Sequence, residues 1–403
     1  MQNVEERHTA QGLRPAGLSG TLCLAGLAVL MGLAACTADA DSEPEQQRQT
    51  LEAVGYLPTF NEETTGSAAR SPQVATRAGF PPDGYFNYAD FYGVSGLFKD
   101  QFSNAEATIS AFFTRGENSF IDGTNASTPN QFSYNKIENK WIVSPAMALS
   151  GAYHIYGYVP HEVATSATLT GSNFLTGAVL TLNGIQSVTP CDLSVIVGAK
   201  EDEDVVRGDF TFRSNMNKLY LLFDHLFTAL KFKFMVDATY NALRTIKITK
   251  LELLAFTGDS ETRLKSKYNV TITFKRNDTG ASPIESVVFT PDGTSAPMDY
   301  QTLYSGNEVE LKAEAETSFM GCFVPGSQTN FKLRTTYNVY DKQGNRIREG
   351  CEAVNAINVR NIFNITDTEL QRGNMYSLTI TVDPTYVYVL SDPDQDNPFI
   401  ITK

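Results

Sequence analysis

The residues with the clearest chemistry lie near the N terminus, where small residues precede a cysteine. A Leu-Ala-Ala tripeptide at positions 33–35 leads directly into Cys36, and an apolar run from about Leu18 precedes it. Small residues before the cleavage point suit a signal peptidase, and the run is shorter than the roughly 20 residues of a membrane-spanning helix. This order predicts a lipoprotein signal peptide over 1–35. Cys36 would then be the first mature residue, anchored to a membrane through acyl chains.

Two arginines offer a second kind of chemistry, cleavage of the backbone by a protease. Arg70 and Arg77 lie among small and polar residues that follow an apolar, strand-like segment at 51–60. Exposed loops of this composition are preferred sites of proteolysis. We expect a tether and propeptide over 36–77 with a removable N-terminal strand, cut after Arg77 or Arg70. The Thr-Arg-Ala-Gly context, just before an aromatic-rich region, favours Arg77; the alternative is that both are ordinary linker residues.

The cysteines that follow position 36 leave two interpretations open. They are Cys191, Cys322 and Cys351, so at most one intrachain disulfide can form. Cys322 with Cys351 is the better pair, because both lie in the C-terminal half. The alternative is three free thiols, since the spacing does not resemble a disulfide framework.

Composition and motifs argue against several classes of function. The formal net charge of −13 opposes binding to nucleic acid, whose phosphate backbone requires a basic face. His161-Glu162 lacks the second histidine of a zinc-protease helix, and the acidic run at 392–397 lacks the glycine and glutamate that complete a calcium loop. Asp224-His225 lies in an apolar run and is interpreted as core. We therefore expect no enzymatic activity, no metal and no cofactor.

The elements that must position these residues show the period of two that is typical of strands. Apolar and polar residues alternate over 268–275, 308–313, 331–339 and 376–382. Each segment has one apolar and one polar face, as two packed sheets require. Helical patterns are scarce. We predict a mostly β chain with little helix, folded as an N-terminal β-sandwich domain over 78–258 and a C-terminal one over 259–384.

A C-terminal extension over 385–403 follows the second predicted domain. Its first apolar segment consists of Tyr386, Val387, Tyr388, Val389 and Leu390. A polar break separates this segment from a second apolar piece that begins near Phe399. The first segment is either a donor strand for another molecule or the last strand of its own domain.

Several of these features come in a recognisable order. The signal cysteine, the propeptide and the arginine site are followed by a series of short patterns. These patterns lie at 109–113, Tyr134 with Trp141, the tyrosine-rich strand that ends at Pro160, 192–196, 223–234, 322–326 and 370–378. In this respect nearly the whole chain resembles the fimbrillin-like family, the pilins of type V pili in anaerobic Gram-negative bacteria.

The resemblance implies a fold, a mode of assembly and a set of partners. The fold is two tandem transthyretin-like β-sandwich domains. An arginine-specific protease removes the N-terminal strand with its lipid, and the C-terminal strands of a neighbouring subunit, self or paralogous, fill the groove. The chain would then be an adhesive structural subunit of a fimbria, made as an outer-membrane lipoprotein and exported to the cell surface, where a receptor would be bound. The alternative function is an outer-membrane lipoprotein that binds glycans and never polymerises.

Overall fold

The structure is a computed structural model of the chain. It describes residues 51–57, 60–63, 92–93, 107–116, 119–120, 125–135, 137, 140–144, 152–173, 177–200, 211–213, 218–258, 260–274, 283–314, 317–365, 369–382 and 399–402. The predicted signal peptide lies outside the described residues, as do Cys36, Arg70, Arg77 and the segment from Tyr386 to Leu390. The fold is mostly β, as the alternating pattern predicted.

The strands are short and follow one another closely along the chain. In order they are β1 (Glu52–Leu57), β2 (Asn61–Glu63), β3 (Tyr92–Gly93), β4 (Ile109–Gly116), β5 (Ser119–Phe120), β6 (Asn130–Asn135), β7 (Lys140–Ser144), β8 (Ala152–Val159), β9 (Ser166–Asn173), β10 (Gly177–Gln186), β11 (Val188–Thr189), β12 (Ser194–Lys200), β13 (Thr211–Arg213), β14 (Lys218–His225), β15 (Thr228–Val236), β16 (Thr245–Ala255), β17 (Lys267–Phe274), β18 (Ile284–Pro291), β19 (Gln301–Glu310), β20 (Thr317–Phe323), β21 (Asn330–Tyr340), β22 (Arg346–Asn358), β23 (Asn374–Val382) and β24 (Phe399–Thr402).

Helix is limited, in the part of the chain that the structure describes, to three short pieces. These are a 3₁₀ turn at His161–Val163, α1 (Ala238–Leu243) and α2 (Val359–Phe363). Asp237 caps α1, where its carboxylate accepts hydrogen bonds from the backbone N–H groups of the second and third helical residues. No helix within the described ranges is long and apolar enough to cross a membrane.

The first sandwich packs a ten-stranded sheet against a four-stranded one. The larger sheet has the order β13-β8-β12-β14-β1-β7-β6-β4-β5, with β3 added beside β1. The smaller has the order β18-β17-β10-β9. Apolar side chains from both sheets form one core, in which Phe112, Tyr156 and Phe223 are among the largest fully buried residues. The period-two pattern explains the packing, because every second side chain of a strand points to the same face.

One extra pairing closes the larger sheet on itself. Strand β4 pairs with β6 on one side and with β8 on the other, through a register that includes Phe112 with Tyr156. The strands β4, β8, β12, β14, β1, β7 and β6 therefore form a closed circuit, which we call the ring. Gly157 lies at the β4–β8 contact, where a Cβ atom would come within 2.2 Å of the Ser110 carbonyl oxygen. The two strands can approach this closely because the position lacks a side chain.

The second sandwich has its own two sheets and its own core. One sheet has the order β11-β20-β15-β23-β2, with β24 also on β23, and the other has the order β19-β16-β21-β22. Phe232, Phe234, Leu253 and Leu333 are fully buried between them. Strands β15 and β16 precede residue 258 but pair with strands that follow it, whereas β17 and β18 follow residue 258 and join β10 in the first sandwich. Each sandwich thus takes strands from both sides of the predicted boundary.

A buried carboxylate on β16 is the centre of an ion-pair cluster in the second sandwich. Glu252, 4% exposed, accepts a hydrogen bond from the Arg334 Nε at 2.8 Å and lies 2.7 Å from the Lys250 Nζ. Burial raises the pKa of this carboxyl, but the hydrogen bonds from Arg334 and then Lys250 outweigh it and leave the pKa below its ordinary value. Arg334 also lies 4.0 Å from the centre of the Tyr300 ring. The guanidinium is therefore held from two sides.

The substitution Arg334→Gln is expected to lower the free energy of unfolding by about 1–2 kcal/mol at pH 7, because a buried carboxylate loses a charged hydrogen bond. A carboxyl with a depressed folded pKa stabilises the fold above its unfolded pKa of about 4.3, and this stabilisation is lost as the pH falls through the folded value. The difference between variant and wild type should therefore shrink at pH 3. Urea unfolding at both pH values measures it, with Arg346→Gln, at an exposed ion pair, as a control that stays within about 0.5 kcal/mol.

The three cysteines among the described residues, Cys191, Cys322 and Cys351, are free thiols, so the structure does not contain the pair Cys322–Cys351. Cys322 and Cys351 do not meet because they lie in different sheets and pack against different cores. Cys322 on β20 is fully buried in the first core, whereas Cys351 on β22 packs against the second. The alternative of three free thiols, also left open by the sequence, is the one that the structure has.

Burial also sets the reactivity of these thiols. It raises the pKa of Cys322 well above its ordinary value and the pKa of Cys191 to about 12. In the folded protein at pH 8, we expect iodoacetamide to modify Cys322 and Cys191 about a hundredfold more slowly than a free thiol, because so little thiolate is present. Mass spectrometry of time points measures the rates, with the urea-unfolded chain as the fully reactive control. Rapid modification of Cys322 in the folded protein would contradict this placement.

Candidate functional site: the leader segment and its slot

The candidate site is the place that the N-terminal strands occupy. We call residues 51–63 the leader segment; it contains β1 and β2. Strand β1 lies in the ring between β14, to which it is parallel, and β7, to which it is antiparallel. The Val143 N–H donates to the Leu51 carbonyl at 2.9 Å, which extends the ladder with β7 by one residue. The apolar stretch that the sequence marked as strand-like is thus an interior strand of the ring.

The buried face of β1 carries small side chains. Leu51 and Ala53 are 1% and 0% exposed, and Gly55 is also buried. Glu52, between the first two, is half-buried. The alternation places these apolar positions in the first core. We call the space that β1 occupies, bounded by the edges of β14 and β7, the slot.

The ring keeps its connectivity without β1. Strand β14 connects to β7 through β12, β8, β4 and β6, because the β4–β8 pairing closes the other side. Removal of β1 would therefore leave two facing strand edges with unpaired N–H and C=O groups over an apolar trough, in an otherwise continuous sheet. Such edges readily pair with another chain, and proteins normally protect them.

The leader segment continues from the first sandwich to the second. Strand β2 pairs in parallel with β23, with Asn61 opposite Asn374 and Glu63 opposite Tyr376. The C-terminal strand β24 pairs with the remainder of β23, antiparallel, from Thr379 to Val382. Both ends of the described chain therefore share one strand as their partner. This arrangement was not predicted, since nothing in the sequence of 61–63 marks it as a strand.

A polar cluster lies where the leader segment passes between the two sandwiches. The Phe60 ring, 7% exposed, stacks on the His225 ring with centroids 3.8 Å apart and planes 21° apart. His225 is 2% exposed, and its Nδ1 donates to the Asp192 Oδ2 at 2.7 Å. The Ser194 hydroxyl donates to the same oxygen at 2.5 Å. His225 is thus buried and hydrogen-bonded, as its apolar surroundings predicted.

Arg372 holds the same histidine from the other sandwich. Its Nη1 donates to the His225 carbonyl at 2.7 Å and to the Asp224 Oδ2 at 3.1 Å. The Asp192 Oδ1 and the Arg372 Nη2 are buried without a hydrogen-bond partner among the described residues. We call the cluster of Asp192, Ser194, Asp224, His225 and Arg372 the joint. Its hydrogen bonds fix the orientation of the ring on which Phe60 lies.

The joint does not have the arrangement of a catalytic site. Ser194 donates to Asp192 rather than to the histidine, so no base activates its hydroxyl. Asp192 and Ser194 are fully buried, and Phe60 covers the histidine. Among the described residues, no group of three or more histidine, cysteine or acidic side chains is placed to hold a metal ion. What this arrangement can do is receive a strand and its aromatic side chain.

A cleft of about 750 Å³ lies beside the joint. Its lining includes Tyr268, Phe289, Gln328, Arg372 and Asn374, so strands of both sandwiches contribute to it. Aromatic side chains with a few convergent amide and guanidinium groups are typical of pockets that bind small polar ligands. The sequence pattern did not locate this cleft, because its residues are far apart along the chain.

No protein-family model matches the chain, and no curated protein sequence matches it. Among solved structures, it is similar to a proposed cell adhesion protein of Bacteroides uniformis, with 12% identity, 89% of this chain and 97% of that chain covered, and a TM-score of 0.40. It is also similar to a fimbrial protein of Bacteroides vulgatus, with 16% identity, 72% and 91% covered, and a TM-score of 0.28. A third is the fimbrial anchor protein Mfa2 of Porphyromonas gingivalis, with 11% identity, 87% and 95% covered, and a TM-score of 0.22. One of these three solved proteins is a proposed cell adhesion protein and the other two are fimbrial proteins.

Proposed function

We propose that this chain is the precursor of a structural subunit of a cell-surface fimbria, assembled when a protease removes the leader segment and a strand of another subunit takes its place. The observation that carries the proposal is the position of β1 in a ring that is closed elsewhere by the β4–β8 pairing. Both candidate arginines, Arg70 and Arg77, follow β2 in the sequence. A single cut therefore separates β1 and β2 together from the remaining chain, along with the lipidated Cys36.

The energetics favour refilling of the slot. A strand that pairs with both β14 and β7 would gain several backbone hydrogen bonds at about 1 kcal/mol each. Two or three inward side chains would add about 1.5–3 kcal/mol each. The gross gain of roughly 10 kcal/mol, before ordering costs, makes a polymer that dissociates slowly. Strand addition to an open edge is an established mode of protein recognition.

The donor in this proposal is the C-terminal extension, with Tyr386, Val387, Tyr388, Val389 and Leu390 entering the slot. The partners are other fimbrial subunits, the arginine-specific protease and, for the precursor, the outer membrane through the lipid on Cys36. The fimbria would serve adhesion at the cell surface. No catalytic step belongs to this function.

Limited digestion of the purified precursor tests the proposal. We expect digestion with an arginine-specific protease, followed by an unboiled denaturing gel, to give a ladder of multimers that collapses to one band on boiling. The matched control is the same precursor without protease, which should remain a monomer. Clean cleavage that leaves a single monomer band at high protein concentration would contradict polymerisation.

The cleft beside the joint favours a second candidate function, glycan binding by a lipoprotein that does not polymerise. In that case the uncleaved precursor should bind an immobilised glycan panel, and Phe289→Ala, at a half-buried side chain that lines the cleft, should remove the binding without altering the digestion pattern. Polymerisation without glycan binding would exclude this alternative.

A further inference from the structure

A lysine, a glutamate and an asparagine meet on the second sandwich, on the face of a sheet that is turned away from the core. They lie on three neighbouring strands, with Lys247 on β16, Glu308 on β19 and Asn338 on β21. Lys247 and Asn338 are direct partners in the register of β16 with β21. The Cβ atoms of such a pair are about 4.5–5.5 Å apart, so the lysine amine can reach the amide carbon.

One carboxylate connects the amine with the amide. The Glu308 Oε2 lies 3.4 Å from the Lys247 Nζ, and the Glu308 Oε1 accepts a hydrogen bond from the Asn338 Nδ2 at 2.7 Å. The Tyr340 hydroxyl donates to the same Oε1. These hydrogen bonds, that of Tyr340 first, hold the pKa of the Glu308 carboxyl below its ordinary value. Glu308 is therefore ionised at neutral pH and can accept a proton.

The carbonyl end of the same amide is also held. Asn338 is 5% exposed, and its Oδ1 accepts a hydrogen bond from the Gly350 N–H at 2.8 Å. The register of β21 with β22 shifts between Tyr337 and Val339, and Gly350 has no Cα partner in this ladder. A donor placed on the oxygen where negative charge develops favours attack on a carbonyl carbon. The Asn338 amide is thus polarised at its oxygen and bound to a carboxylate at its nitrogen.

A neighbouring ion pair on the same sheet shows what is particular to this one. Lys250 lies 2.7 Å from the Glu252 carboxylate, but its partner on β21 is Thr336, which has no amide. Lys247 has both a carboxylate and an oriented amide within reach. Its Nζ also lies 4.6 Å from the centre of the Tyr340 ring, which keeps the amine close to β21.

We propose that Lys247 and Asn338 form an intramolecular isopeptide bond, with Glu308 as the catalytic residue. Glu308 accepts a proton from the Lys247 ammonium, and the resulting amine attacks the Asn338 Cγ. Glu308 then delivers this proton to the Nδ2, which leaves as ammonia when its bond to Cγ breaks. A second proton passes from the attacking nitrogen to water. The ammonium and the amide thus give a new amide, ammonia and one proton, without any oxidation or reduction.

The bond would fasten β16 to β21, the two central strands of their sheet. Because β16 precedes residue 258 and β21 follows it, the link would close a long loop that includes the predicted domain boundary. A covalent link across a long loop restricts the unfolded chain and so favours the folded one. This inference does not depend on the proposed function, because both partners belong to one chain and neither is in the leader segment.

Mass spectrometry of the purified full-length chain tests the inference. Loss of one ammonia should lower the mass of wild type by about 17 Da, and peptide mapping should give a branched peptide that joins positions 247 and 338. Lys247→Arg keeps the positive charge but should restore the full mass. Glu308→Gln should form the bond at least about a hundredfold more slowly than wild type. Lys250→Arg, at the neighbouring ion pair, is the matched control and should keep the branched peptide.

Three results would contradict the proposed bond or its mechanism. One is a wild-type chain that keeps its full mass even after incubation at pH 9, where more of the lysine is unprotonated. Another is a mass deficit that maps to a different asparagine, such as Asn183 before Gly184, with no branched peptide. Bond formation by Glu308→Gln at the wild-type rate would overturn the role of Glu308. Circular dichroism of Lys247→Arg should match that of wild type, which shows that its full mass does not result from misfolding.

Discussion

Gly157→Ala is expected to destabilise the first sandwich by about 3 kcal/mol or more, and we expect much of the protein to be insoluble on expression. The added Cβ would lie 2.2 Å from the Ser110 carbonyl oxygen, 2.8 Å from the Ile196 Cδ1 and 3.0 Å from the Ala111 Cα. Two of these are backbone atoms of β4, so relief requires separation of β4 from β8. The overpacking cost of about 1–3 kcal/mol then adds to the loss of ladder hydrogen bonds.

Urea unfolding monitored through the single tryptophan measures this effect. Trp141 is on β7 in the ring, buried, and its indole N–H donates to the Ala107 carbonyl at 2.7 Å. Gly293→Ala is the matched control, because an added Cβ there meets no atom within 4 Å. We expect the control to change the free energy of unfolding by less than about 0.5 kcal/mol. Equal stability of both variants would contradict closure of the ring through β4 and β8.

Replacing both Arg70 and Arg77 with glutamine is expected to abolish the multimers that digestion produces, a loss of at least about tenfold. The leader segment would then stay attached to its own subunit, where the intramolecular strand outcompetes any donor because it has no association cost. The unboiled gel of the proposed experiment provides the measurement. The two single variants distinguish the cleavage sites, and we expect Arg77→Gln to have the larger effect.

The control for this double variant is Arg263→Gln, at an exposed side chain in the second half of the chain. It should form the same ladder of multimers as wild type. A double variant that still forms multimers after digestion would show that assembly does not require cleavage in this loop. Mass spectrometry of the digested chain identifies the new N terminus in each case.

Local patterns predicted the strands well, because alternation depends only on which face of a strand is buried. The alternating stretch at 268–275 corresponds to β17, and the one at 331–339 corresponds to β21. The stretch at 308–313 is only partly correct, since β19 ends at Glu310. Beyond it the Leu311 N–H donates to the Ile246 carbonyl, and Leu311 is buried. Because Leu311 is buried although it lies beyond the end of β19, the apolar–polar alternation in the sequence extends further than the strand itself.

Partners across long sequence distances could not be predicted in the same way. Alternation in β10 and in β17 indicates that each has a buried face, but not that they pair with each other across the predicted boundary at residue 258. The joint is the clearest example. The His225 ring donates a hydrogen bond to Asp192, which is 33 positions away in the sequence. The His225 backbone carbonyl accepts a hydrogen bond from Arg372, which is 147 positions away. A single sequence contains no periodic signal for contacts of this kind.

The crosswise hydrogen bonds of β1 also have a mechanical consequence. A pull on residue 51 along the strand axis loads the bonds to β14 and β7 together, because ladder bonds run across the strand rather than along it. A force along the strand must therefore break all of these hydrogen bonds at about the same time. In the proposed assembly, an invading strand would instead break them one at a time from an end. Under that proposal, the same strand would resist the drag of fluid on a tethered subunit and still yield to stepwise displacement.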